Sequence, residues 1–108
     1  MASTRATLER RRASRIAMRT PVRVFSGDVE GGSLAEAISI SRCGALLRTT
    51  FRPELGSRIT VVHGISGEVR DFRVIRASGL NADGFFQVGI EILFPERNFW
   101  GMQFPGDR

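Results

Sequence analysis

Two groups of residues in this 108-residue chain have the types and spacing to do chemistry. The first is a run of arginines, Arg10, Arg11, Arg12 and Arg15, in which Arg11 and Arg15 form an R-x-x-x-R pair. The same spacing recurs at Arg15/Arg19 and Arg19/Arg23. The second is Ser39-Ile40-Ser41-Arg42-Cys43-Gly44, followed by Ala45-Leu46-Leu47. A guanidinium is a planar fork of donors that matches phosphate oxygens and stacks on flat rings. A Ser-x-x-Gly corner offers a hydroxyl and backbone groups that a ligand can approach closely. These residues suit the capture of an anion.

Bond-making chemistry has little to work with. An enzyme needs a nucleophile with a base, or a set of metal ligands. The chain has one histidine, His63, and one cysteine, Cys43. His63 stands beside Gly64 and reads as a surface loop histidine. Cys43, next to a corner glycine, reads as a packed thiol rather than a nucleophile paired with His63. Two such ligands cannot complete a zinc site. No paired carboxylates and no phosphate-binding glycine loop stand out. The reading is a binding protein, not an enzyme, with no metal or cofactor.

The charge is unevenly spread. Every basic residue is arginine, and residues 1–23 hold seven arginines against the single acid Glu9. The rest of the chain is close to neutral, so the net charge of +5 originates in the N-terminal segment. That segment should seek a nucleotide, a nucleic acid, an acidic lipid or an acidic protein. A single cysteine rules out an internal disulfide and fits a reducing compartment. No apolar run approaches the roughly 20 residues that cross a bilayer, and no apolar region follows the first arginines. The expected location is the cytoplasm.

The elements that must position these residues are strands. A short helical turn is possible near Leu8 to Arg15, until Pro21 forces the chain to extend. Strands are expected at Pro21 to Ser26, Leu34 to Ser41, Ala45 to Thr50, Arg58 to His63, 68–77 and 85–92. Turns fall at Arg42-Cys43-Gly44, around Gly56 and at Gly79 to Gly84. In the fifth strand Val69, Phe72, Val74 and Ile75 are expected in the core, with a bulge between Val69 and Phe72. Phe86, Val88, Ile90 and Ile92 alternate cleanly with Phe85, Gln87, Gly89 and Glu91. Regularly spaced short strands imply an all-β sandwich or barrel. Phe94, Phe99, Trp100 and Phe104 form an aromatic tail expected to pack across one barrel opening. Gly89 reads as structural, and Arg42 and Arg48 as surface charges.

The two motifs, in this order and at this spacing, resemble the PilZ domain family. Its signatures are R-x-x-x-R and, some way on, D/N-x-S-x-x-G. The Gly44-Ala-Leu-Leu47 strand, the Leu55-Gly56 turn, the Val88-Gly-Ile-Glu91 strand and Phe99-Trp100 extend the likeness over about residues 9–104. The resemblance implies a six-stranded antiparallel β-barrel with a flexible basic N-terminal arm and a short aromatic C-terminal tail. Residues 1–8 and 105–108 would be tails outside it. It implies cyclic di-GMP as ligand, bound on the outside of the barrel by Arg11, Arg15, Ser39, Ser41 and Gly44, with Arg10 and Arg12 as additional contacts. It also implies an unidentified protein partner to carry the signal.

The chain departs from the family at Ser39, where Asp or Asn is expected. Guanine presents adjacent N1–H and N2–H donors, and a carboxylate accepts both where one hydroxyl cannot. The lost contact is worth about 1–3 kcal/mol, or roughly 10- to 100-fold in affinity. Ser39→Asp should therefore tighten binding. The substitution also raises an alternative, a degenerate module that binds no nucleotide and acts only through protein contacts. A third reading, a barrel for RNA or single-stranded DNA, would need exposed aromatic platforms. Phe25, Phe51 and Phe85 are poor candidates for that role, which argues against nucleic acid.

Overall fold

Period-two alternation of apolar residues builds six strands, and their pairing closes a barrel. The structure is a computed structural model that describes residues 15–27, 32–93 and 99–101. The strands are β1 (Ile16–Phe25), β2 (Ser33–Ser41), β3 (Gly44–Thr49), β4 (Arg58–His63), β5 (Val69–Ala77) and β6 (Phe86–Ile92). They neighbour one another in the order β1-β2-β3-β6-β5-β4, every pair antiparallel, and β1 meets β4 to close the ring. The expected all-β, six-stranded antiparallel barrel is the fold of the protein. Arg10, Arg11, Arg12, most of the proposed helical turn, Phe94, Phe104 and both expected tails lie outside the described residues.

The interior is filled by one residue in two from each strand. Val22 and Val24, Ile40, Leu47, Ile59 and Val61, Phe72 and Val74, and Val88 and Ile90 are all buried. Phe99 and Trp100 join them. Their rings pack edge-on at 4.7 Å, and Phe99 meets Phe72 at 5.5 Å. This part of the aromatic tail is therefore packed into the core.

Three details correct the sequence reading. First, β1 starts at Ile16 rather than Pro21, because Ile16 and Ala17 pair with Ile40 and Ser39 of β2. Second, the β5 irregularity lies between Val74 and Arg76, against β6, and not between Val69 and Phe72. The extra residue leaves Ile75 on the outside, 52% exposed, and Val69 is 47% exposed, so neither joins the core. Third, His63 is not a surface loop residue. It ends β4 and is buried, with its ring 5.6 Å from Phe99 and 5.8 Å from Trp100. Its Nδ1 accepts the backbone N–H of Ile65 at 3.1 Å and of Ser66 at 3.3 Å. The histidine thus folds the β4–β5 turn back onto itself.

On the outside of β4 and β5, Thr60 stands opposite Asp71 and donates to its Oδ1 at 2.8 Å, while Arg58 pairs with Oδ2. The hydrogen bonds from Arg58 and Thr60 hold the Asp71 carboxyl below the ordinary aspartate range. A carboxyl depressed in the folded state stabilises the fold above its unfolded pKa and loses that contribution as pH falls through its folded value. The Arg58 side chain is 61% exposed, so solvent screens the pair. Asp71→Asn should cost at most about 1 kcal/mol near neutral pH. The difference from the parent should narrow as the pH falls below the ordinary aspartate range, as read by urea denaturation at neutral and at acid pH.

Candidate functional site

The strand registers lay out the candidate site on the outer face of β2, β3, β6 and β5. One cross-strand row runs Ser41, Gly44, Glu91, Arg73. The next runs Ser39, Leu46, Gly89, Arg76, with Ala17 of β1 beyond Ser39. A groove of about 550 Å³ opens over these rows, and its walls include Arg15, Ser39, Ser41, Gly44, Arg76 and Glu91. Arg15 comes from the residue just before β1, so the start of that strand carries it to the groove.

Two glycines keep the floor of the groove low. A Cβ on Gly44 would lie 2.0 Å from the carbonyl oxygen of Ile90, because β3 and β6 approach closely there. Its φ is not positive. The glycine is required by contact and not, as a simple corner would suggest, by backbone angle. At Gly89 a Cβ would lie 3.1 Å from Cβ of Arg76, which the β5 bulge brings alongside. The sequence reading of Gly89 as structural agrees with this contact, and the residue also lines the groove.

Ser41 is buried and its Oγ accepts the backbone N–H of Cys43 at 3.3 Å. This bond closes the turn between β2 and β3, and the Cys43 carbonyl accepts from Ile92 N at 2.7 Å, tying the turn to β6. The Ser41 hydroxyl keeps its own proton to donate. Cys43, expected to be packed, is exposed and lines the groove, because the turn points its side chain away from the core. Among the described residues there is no group of His, Cys, Asp or Glu that could hold a metal ion.

The arginines divide into those with structural partners and those without. Arg19 pairs with Glu36 at 3.3 Å. Arg48 reaches Glu36 at 3.9 Å and Asp83 at 3.3 Å, and its guanidinium lies 3.7 Å over the Phe85 ring. It is therefore more than the surface charge expected. Arg23 also has a partner and stands between Leu34 and Val62, on another part of the barrel wall. Among the described residues, the side chains of Arg15, Arg76 and Glu91 make no ion pair or hydrogen bond, and all three are exposed. Of the overlapping R-x-x-x-R registers, Arg11/Arg15 is the one whose described second member lines the groove. Arg48 occupies one face of Phe85, and Phe51 packs on the core, so both rings are already engaged within the protein.

No family model matches the chain, and no curated protein matches it. The barrel is similar to that of the Bacillus subtilis inhibitor of motility, MotI/DgrA. The TM-score is 0.64 over 78% of this chain, at 13% sequence identity. This chain spans 43% of the length of that protein, and the likeness is one of fold.

Four of the residues singled out from sequence, Arg15, Ser39, Ser41 and Gly44, meet in the groove. Sequence reasoning missed Arg76 and Glu91. The outward phase of Glu91 was readable from the alternation of β6. Nothing local, however, set that strand beside β3 or placed the bulge that turns Arg76 outward. No helix among the described residues is long and apolar enough to cross a membrane.

Proposed function

We propose that the protein is a cyclic di-GMP receptor. It holds the dinucleotide between the N-terminal arginine arm and the outer face of the barrel, and it acts through a protein partner. Arg11 and Arg15 clamp phosphate and guanine, with Arg10 and Arg12 available beside them. Ser41 and Gly44 take a guanine edge, with Ser39 contributing weakly. The observation that carries this reading is the meeting of Arg15, Ser39, Ser41 and Gly44 in one groove, in the order and spacing of the PilZ motifs. Arginine forks recognise both phosphates and the O6/N7 edge of guanine. The fold's likeness to a protein named as an inhibitor of motility is in keeping with a regulatory role.

One observation favours the degenerate module instead. The Ser41 hydroxyl is already spent in part on the Cys43 N–H, and Ser39 lacks the carboxylate of the family motif. Calorimetric titration with cyclic di-GMP, with GTP as control, separates the two. The receptor reading expects saturable binding that weakens by at least about 30-fold in Arg11→Ala/Arg15→Ala, since two arginine contacts of about 1–3 kcal/mol each are removed. Absence of heat with the unaltered protein would favour the protein-contact module.

A further inference from the structure

We infer that Glu91 supplies the carboxylate that reads a guanine edge in this groove, the acceptor that Ser39 cannot provide. The inference rests on the receptor reading and deepens it. Glu91 stands in the same outward row as Ser41, with Gly44 between them. Gly44 has no side chain and no room for one. Nothing therefore rises between the β2 wall and the β6 wall, which lie two strand spacings apart, about 10 Å. A glutamate side chain leaning over Gly44 faces a ring seated against Ser41.

Availability supports the assignment. The other acids of this part of the barrel are engaged: Glu36 with Arg19 and Arg48, Asp83 with Arg48, and Asp71 with Arg58 and Thr60. Glu91 is exposed, lines the groove and has no ion pair or hydrogen bond among the described residues, even with Arg73 as its cross-strand neighbour. A free carboxylate in a groove walled by Arg15 and Arg76 repels a plain anion. It suits a ligand that carries hydrogen-bond donors as well as phosphates, and guanine's N1–H and N2–H are such donors. Adenine offers neither N1–H nor N2–H, so the same carboxylate selects against it.

The test is a double-mutant cycle read by calorimetry with cyclic di-GMP and, in parallel, cyclic di-AMP. The parent protein should prefer cyclic di-GMP. Glu91→Gln keeps the size of the side chain but turns one acceptor into a donor, and it should weaken cyclic di-GMP by about 10- to 100-fold without weakening cyclic di-AMP. Ser39→Asp should restore most of that loss in the Glu91→Gln background and gain much less in the parent, because both carboxylates would serve one edge. Equal affinity of Glu91→Gln and parent overturns the inference while leaving the receptor reading in place. So does strict additivity of the two substitutions. Binding by Ser39→Asp alone, with none by the parent, overturns the inference and shows the native chain to be no receptor. No binding by any variant overturns both.

Discussion

Gly44→Ala is expected to lower the stability of the protein by about 3 kcal/mol, at the upper end of what overpacking usually costs. The added carbon would meet the Ile90 carbonyl oxygen at 2.0 Å. That oxygen is backbone within the β3–β6 ladder, so no rotamer change relieves the clash. The strands must part where Gly44 faces Glu91, and the β2–β3 turn anchored on Ile92 must move with them. Gly89→Ala is the matched control. Its new carbon would press at 3.1 Å on the Cβ of Arg76, next to a bulge that can give by a few tenths of an ångström. Urea denaturation of both variants should show a clear drop for the first and a small one for the second. Equal midpoints would mean that β3 and β6 are not so closely set at Gly44.

Phe72→Ala should be the most damaging single truncation. Phe72 is fully buried, pairs with Ile59 on one side and Ile92 on the other, and carries the Phe99 and Trp100 rings at 5.5 and 6.3 Å. Removing a buried phenylalanine side chain costs about 3–5 kcal/mol. Domains of this kind have only about 5–15 kcal/mol in total. The expected fall in Tm is at least about 12 °C, taking roughly 4 °C for each kcal/mol lost. Trp100 is the only tryptophan, so its fluorescence reports the loosening directly. Phe72→Leu keeps most of the volume and should cost about half as much or less. A Tm unchanged in Phe72→Ala would show that the aromatic cluster is not seated on the barrel.

Local signals made some of this protein readable in advance and left the rest hidden. The clean alternation of β6 and the bounds of β4 depend on neighbouring residues, and both match the structure. Residues 16–20 show little alternation, and only pairing with β2, from farther along the chain, makes them a strand. His63 looked like a loop residue because Gly64 follows it, yet Phe99 and Trp100 come from far along the chain to cover it. The groove divides the same way. Its serines and Gly44 belong to one contiguous motif and were legible. Arg76 and Glu91 enter through the β3–β6–β5 register, which no local pattern encodes.

The lengths of the two ladders on β1 have a mechanical consequence. The strand is ten residues long, but among the described residues β4 pairs with it only from Val22 to Phe25. Among the described residues its first half, from Ile16 to Thr20, is held on one side, by β2, through a register that is itself interrupted between Ala17 and Thr20. Peeling back this half breaks hydrogen bonds to one neighbour and leaves the ring of six strands closed. Such a segment opens at lower free energy than the strands paired on both flanks. Arg15 directly precedes this half, so the arginine wall of the groove can move with it while the wall carrying Glu91, on a strand paired on both flanks, stays in place.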